Sequence, residues 1–396
     1  CVTSTVLLSG CASDEPVAKA EKDYGQPVQG PALVRALPHE YPDFRLVWSK
    51  DPAVLAAIDE SIAYFNKPSS KRWFDPPYRT ADGEVSHDAQ VRTLHTLRSV
   101  YVNAKDAAEF DAWIRRDFDV YKSVGYDSKS GEVLFTGYYT PIFDGSLTPT
   151  ERFKYPLYKR PDDLVTDPIT GEPKGRRTAN GVEPYPTRAE IESQGLLKGL
   201  ELLYLADPFE VYIVHVQGSA RVRLPDGREL HLGYHGKTDR AYKSVGGALI
   251  EEGKLKKSEL SLARLRQYFR DHPSELAVLN VNESYVFFQE GPPGPFGSIG
   301  AKVTPFHTIA TDKSVFPRGG PTVAVTQLPK PGLGADFAYV DHTGLYLDQD
   351  TGGAIRSAGR ADLYIGVGPD AERIAGHVKN EGRLFYLFAK PGAYAP

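Results

Sequence analysis

The sequence predicts a mainly β fold carrying several helices. Beyond Ser284 the chain runs in short β-prone segments punctuated by Gly and Pro. Strands this short, joined by irregular loops, fit a barrel better than an open parallel sheet. Ahead of about residue 122, apolar residues recur instead at helical spacing. Between about residues 141 and 283 the pattern shifts to strands broken by short helices. With 396 residues the chain reads as two domains, or as one large domain carrying an insertion.

The elements follow in order. Val54, Leu55, Ile58, Ile62 and Phe65 predict a helix over 52–64, started by Asp51 as cap and Pro52 in the first turn. Helices are also expected over 91–100 and 105–121, the latter with Phe110, Ile114, Phe118 and Tyr121 on one face. Residues 133–142 turn to β-type side chains. Strands are read over 155–158, 211–216, 220–224 and 229–232, with a turn at Pro225-Asp226-Gly227-Arg228. Short helices are read over 187–193, 245–252 and 261–270; Thr187 and Glu190 form a capping-box pattern. Further strands are expected over 285–289, 307–310, 322–328, 337–342, 362–366 and 383–388.

Composition is that of a globular protein with a real core, 41% hydrophobic and 25% charged. A net charge of −4 gives no reason to expect nucleic acid, and pairs such as Lys71-Arg72 are too short for a basic patch. The cysteines, Cys1 and Cys11, precede the folded region, which excludes disulfides and Cys-bound metal from the core. Leu8-Ser9-Gly10-Cys11 resembles the lipobox of a bacterial lipoprotein, so residues 1–11 are read as a signal remnant with Cys11 lipidated. Residues 12–31, polar and rich in Ala, Pro and Gly, are read as a tether. No metal site is expected: His231 and His235 are four apart, but on strand and loop and without the glutamate of a zinc helix.

Asp350-Thr351-Gly352-Gly353 is the leading chemical candidate. A carboxylate beside two residues without side chains can meet a bulky substrate closely, or it can simply begin a tight turn. As a general acid, Asp350 requires burial or a negative neighbour to raise its pKa. Asp348 is read as turning to the other face, whereas Asp362 returns toward the same site after the turn at Ser357-Ala358-Gly359. Thr136-Gly137-Tyr138-Tyr139-Thr140-Pro141 offers a hydroxyl, a small residue and aromatic faces suited to sugars, or is an ordinary strand ending at Pro. Gln217-Gly218-Ser219 either orients a polar ligand or forms a β-bulge at a strand end. Asp-Thr-Gly also occurs in aspartic proteases, but those need two aspartates sharing a proton, and no second copy of the motif exists.

Taken together, seven segments resemble one family, the membrane-bound lytic murein transglycosylase A family of Gram-negative bacteria. They are 136–141, Tyr185-Pro186-Thr187-Arg188-Ala189-Glu190-Ile191, Val216-Gln217-Gly218-Ser219, Tyr242-Lys243-Ser244-Val245-Gly246, 282–288, Ala310-Thr311-Asp312-Lys313-Ser314, and 350–355 leading to Asp362 and 366–369. They keep family order from about residue 44 to 390.

The resemblance implies a double-psi β-barrel catalytic domain (32–140 plus 284–396) interrupted by an inserted β-domain (141–283), with a glycan groove between them. It implies cleavage of the MurNAc-β-1,4-GlcNAc bond of peptidoglycan with formation of 1,6-anhydro-MurNAc and no cofactor. Asp350 matches the single catalytic acid/base. Thr136, Gly137, Tyr138, Gln217, Ser219, Gly352, Gly353 and Asp362 match positions around the substrate. Expected partners are glycan strands, a lipid anchor to the periplasmic face of the outer membrane, and other cell-wall enzymes. Ala220 and Ser357 stand where the family usually or often carries Gly. A catalytically silent peptidoglycan- or polysaccharide-binding lipoprotein of the same fold is the alternative, and only the enzyme requires Asp350.

Overall fold

A computed structural model describes residues 22–168, 170–331 and 337–393. Cys11, the rest of the signal remnant and residues 12–21 lie outside the described residues. The described part of the expected tether lies against the barrel: Lys22 pairs with Glu132 and Glu381, and Val28 packs on the core.

The chain begins with strand β1 (Leu33–Arg35). Helix α1 (Pro52–Phe65) starts where its sequence says, with Asp51 accepting from the Ala53 amide. A hairpin, β2 (Tyr78–Thr80) and β3 (Gly83–Val85), precedes α2 (His87–Asn103), capped by Ser86, and α3 (Ala107–Asp117), capped by Asp106. The helix expected over 105–121 ends at Asp117. Phe118 turns extended (φ −120°, ψ 143°) and opens β4 (Phe118–Ser123), so Phe118 and Tyr121 are buried from a strand, not a helix face.

Next come β5 (Val133–Thr140), β6 (Ile142–Ser146), β7 (Tyr155–Tyr158), β8 (Leu164–Thr166), β9 (Pro173–Thr178) and β10 (Gly181–Glu183). Helix α4 (Arg188–Ser193) carries the expected Thr187–Glu190 capping box, and β11 (Glu201–Leu205) follows. The strand read over 211–216 is instead part of helix α5 (Pro208–Gln217), capped by Asp207 and ended by Gly218 at φ +73°. Val211, Tyr212, Ile213, Val214 and His215 are all buried. A helix covered on every side has no polar stripe, so its apolar run mimics a buried strand.

The remaining elements are β12 (Ala220–Arg223), β13 (Glu229–Lys237), α6 (Val245–Glu251), α7 (Leu262–Asp271), β14 (Val286–Glu290), β15 (Thr308–Ala310), β16 (Pro321–Pro331), β17 (Phe337–Asp350), β18 (Arg360–Val367), α8 (Gly368–Ala375) and β19 (Lys379–Ala389). Strands β19, β16, β17, β15, β18 and β5 hydrogen-bond in that order, and β5 pairs back onto β19 to close a six-stranded ring; β4 and β1 extend the sheet from β19. Closure removes the free edges that an open sheet would leave. A second sheet runs β14-β13-β12-β6-β11-β7, its two ends brought together by a Lys159–Phe288 bridge. The fold is therefore mainly β with several helices.

One apolar cluster runs from the ring (Phe135, Ile309, Leu363) into the second sheet (Leu205, Val222, Phe288). On the ring's other flank, Leu345, Leu347 and Phe385 pack against α1, α2 and α3. The Gln349 amide pins β17 to α1, donating to the Ala57 carbonyl at 2.7 Å and the Ser61 hydroxyl at 2.9 Å. This fixes the strand end that carries Asp350.

Candidate active site

Asp350 is the last residue of β17, at a strand end of the ring. Its Oδ1 accepts from the Ser298 amide at 2.9 Å and from the Thr351 amide at 2.8 Å; its Oδ2 accepts from the Tyr138 hydroxyl at 2.9 Å. The residue keeps partial solvent contact yet is packed deep in protein. Burial raises its pKa above the ordinary aspartate range, outweighing the three hydrogen bonds, which favour the carboxylate. The Thr351 bond also makes Asp350 the start of a turn, so the two readings of this motif coexist.

Strand register places the other acid. Ala310 of β15 pairs with Asp350 on one side and Asp362 on the other, and Asp362 pairs in turn with Thr136. Residues in one row across a sheet face the same way, so Thr136, Asp362 and Asp350 share a face. Thr136 Oγ1 and Asp362 Oδ1 are buried and make no hydrogen bond. Orphaned buried oxygens side by side mark a place where a ligand's hydroxyls would be received. Burial also raises the pKa of Asp362, against the pull of Arg360.

Tyr138, two residues along from Thr136, projects to the same face, and its ring packs on Tyr364 at 5.1 Å between centroids. Burial, then the charge of Asp350, holds its phenol protonated, which keeps it a donor. Gly137 and Tyr139 face the opposite way. A methyl on Gly137 would meet the Ala375 Cα at 2.9 Å, so this glycine lets α8 pack on β5; its bare side is turned from the site. Tyr139 is buried and offers no stacking face.

Gln217 and Ser219 arrive from the end of α5, correcting the strand-end or bulge reading. Gln217 Oε1 accepts from the Tyr139 amide at 3.1 Å, and the Ser219 hydroxyl lies 3.5 Å from that of Thr140. Gln217 thus ties the second sheet's helix to β5. Gly352 would place a methyl 3.1 Å from Ile355, and Gly353 one 3.2 Å from Lys237 Nζ. Ser357 adopts φ +67°, the left-handed region where Gly is at ease, and donates to the Gln26 carbonyl.

Several neighbours were not foreseen. Ser298 follows the Gly/Pro-rich run 291–297; Gly297 there is obligatory, since a methyl would lie 2.4 Å from the Gln349 carbonyl oxygen. Asp348 does turn to another set of partners than Asp350: residues two apart on a regular strand would share a face, but a register shift between Thr308 and Ala310 breaks the alternation along β17. It lies fully buried, accepting from Thr311 at 2.7 Å, Tyr386 at 2.8 Å and Lys313. Burial draws both Lys313 and Asp348 toward their neutral forms, and each one's charge opposes this in the other. Lys313 also lowers the pKa of Asp350, so the ion pair sits behind the acid and acts on it electrostatically. Among the described residues no cluster of three or more His, Cys, Asp or Glu could hold a metal ion.

Residues 134–289 match the family model of the MltA specific insert domain, and residues 307–388 that of the 3D domain. The membrane-bound lytic murein transglycosylase A of Vibrio cholerae serotype O1 is 35% identical over 270 residues, 67% of this chain and 67% of that protein. The Escherichia coli K12 protein of the same name is 33% identical over 72% of this chain and 70% of its own length. Among solved structures, a membrane-bound lytic murein transglycosylase from Agrobacterium tumefaciens shares the fold, with TM-score 0.73 at 24% identity over 90% of this chain and 98% of that one. E. coli MltA with bound chitohexaose aligns with TM-score 0.67 at 25% identity, over 96% and 100% of the two chains. With a buried acid at a barrel strand's end, a six-stranded ring and relatives at this identity over two thirds of their length, the chain belongs to the membrane-bound lytic murein transglycosylase A family.

Proposed function

We propose that this protein is a peptidoglycan lytic transglycosylase that cleaves the MurNAc-β-1,4-GlcNAc bond and leaves a 1,6-anhydro end on MurNAc. The observation that carries the reading is the state of Asp350, a carboxyl raised in pKa by burial and hydrogen-bonded only to neutral donors. Asp350 gives its proton to the glycosidic oxygen as the C1–O bond breaks. The MurNAc 6-hydroxyl attacks C1, and its proton passes to the Asp350 carboxylate, restoring the acid. No water is consumed. Ser298, Thr351 and Tyr138 stabilise the carboxylate between the two transfers. Thr136, Asp362, Gln217 and Ser219 bind the glycan, which lies between ring and second sheet. The bound chitohexaose of the E. coli protein supports a saccharide ligand. We read the closed ring as a double-psi barrel, split by the inserted domain at 141–283.

A hydrolase of the inverting type would need an ionised base across the sugar. Asp362 stands two strands from Asp350, but its own raised pKa makes it a poor base. Mass spectrometry of muropeptides released from sacculi decides the matter. Anhydro ends from wild type and none from Asp350→Ala are expected. Water-terminated reducing ends would show a hydrolase, and no release at all would favour a silent glycan-binding lipoprotein. The lipid anchor at Cys11, on the periplasmic face of the outer membrane, belongs to the same proposal. Palmitate labelling that persists in Cys11→Ser would refute it.

A further inference from the structure

Lys237 ends β13 and reaches across to the catalytic loop, its Nζ 3.2 Å from where a methyl on Gly353 would stand. It is half-buried, yet among the described residues it has no hydrogen-bond or ion-pair partner. Arg356, exposed on the loop after β17, is near enough that its charge disfavours protonation of Lys237, in addition to the effect of burial. Arg356 bonds only to carbonyl oxygens, of Gly352 at 3.4 Å and Ile355 at 3.1 Å. Two neighbouring cations, one half-buried and neither neutralised by an acid, are costly unless an anion joins them. They also come from opposite sides of the site, Lys237 from the second sheet and Arg356 from the ring.

We propose that Lys237 and Arg356 form a carboxylate-binding subsite that reads the muramic acid side chain of the glycan. The inference rests on the peptidoglycan reading above. A lysine point charge beside an arginine fork suits a carboxylate. In a peptidoglycan strand GlcNAc is neutral, and the anions hang from the lactyl ether on C3 of muramic acid. They are the carboxylates of an attached stem peptide or, on a strand stripped of stems, the lactyl carboxylate itself. Both present the same chemistry beside Gly353, in the loop that follows the acid. The subsite therefore distinguishes muramic-acid-containing strands from a plain GlcNAc polymer, for which the pair offers nothing.

Equilibrium binding tests this on the full chain carrying Asp350→Asn, so that no ligand is consumed. The ligands are a stem-bearing peptidoglycan tetrasaccharide, the same saccharide after amidase treatment, and chitohexaose. Adding Lys237→Met should weaken a carboxylate-bearing ligand about tenfold, the scale of one charge-assisted hydrogen bond, while chitohexaose changes by less than about twofold. Arg356→Gln, on an exposed loop and safe for folding, should move the same ligands in the same direction. Loss confined to the stem-bearing ligand assigns a stem carboxylate; loss that includes the stripped ligand assigns the lactyl group. An equal loss on chitohexaose, or no loss on any ligand, overturns the proposal. Should the wild type release no anhydro ends while this discrimination holds, the catalytic reading fails and the subsite stands.

Discussion

Asp350 must stay protonated near neutral pH and yet give up its proton on demand, and its surroundings push both ways. Burial raises the pKa; three donors and the charge of Lys313 lower it. Lys313→Met removes one of the lowering forces, so the basic limb of the kcat/KM–pH profile, which falls as Asp350 ionises, should move to higher pH. The single variant leaves Asp348 buried without its cation and should cost about 3–5 kcal/mol of stability. Lys313→Met with Asp348→Asn should recover much of that loss while keeping the shifted limb. An unshifted limb in both variants would assign the pair a purely structural role. At this scale the sequence showed the acid. It did not show Ser298, whose backbone amide reaches Asp350 only because Gly297 can pass under the Gln349 carbonyl. A contribution from the main chain leaves no mark in residue identity.

Elements were legible where a period or a cap was written into the chain. Helix α1 spans Pro52–Phe65 against an expected 52–64, because Asp51-Pro52 and a clean apolar stripe agree. Helix α5 was misread because burial on all faces erased the period, although Asp207-Pro208 and Gly218 carried the same cap signals at its ends. Helix α3 was drawn too long because Phe118 and Tyr121 fit the helical spacing by accident while serving β4. Gly137 was taken as a close approach to sugar; its actual duty is the contact between β5 and α8. Gly137→Ala should therefore lower stability by about 1–3 kcal/mol through overpacking, as read in denaturant unfolding. KM for glycan should be unchanged in the folded fraction; a raised KM with unchanged stability would restore the substrate role.

At the scale of the molecule, the ring and the second sheet are joined by more than apolar packing. Arg266 of α7 bonds Glu372 of α8 at 2.8 Å and lies 3.9 Å from Glu210 of α5. Burial, then Asp207, pushes Glu210 up to about 7, against the pull of Arg266. Its folded pKa thus exceeds the unfolded one, near 4.3, and the native state holds the extra proton between them. Stability is full below the unfolded value and declines as pH rises through that window. Glu210→Gln, which mimics the protonated form, should match wild type near pH 4 and gain on it up to about pH 7, by about 2 kcal/mol. Unfolding free energies that run parallel at pH 5 and 8 would refute this.

Sequence order hid this assembly, since only pairing shows which distant segments are neighbours. Strand β5 is the extreme case. Val133 pairs with Gly382 and Thr136 with both Asp362 and Lys379, so its partners are made long after it. Before then, both edges of β5 await strands that do not yet exist, while some two hundred residues intervene. Closure is consequently a late event of high loop entropy, and the row bearing Thr136, Asp362 and Asp350 is assembled in the same step. Folding kinetics and the appearance of activity are thereby tied together: no partly folded chain that lacks β18 or β19 can hold the acid beside its binding groups.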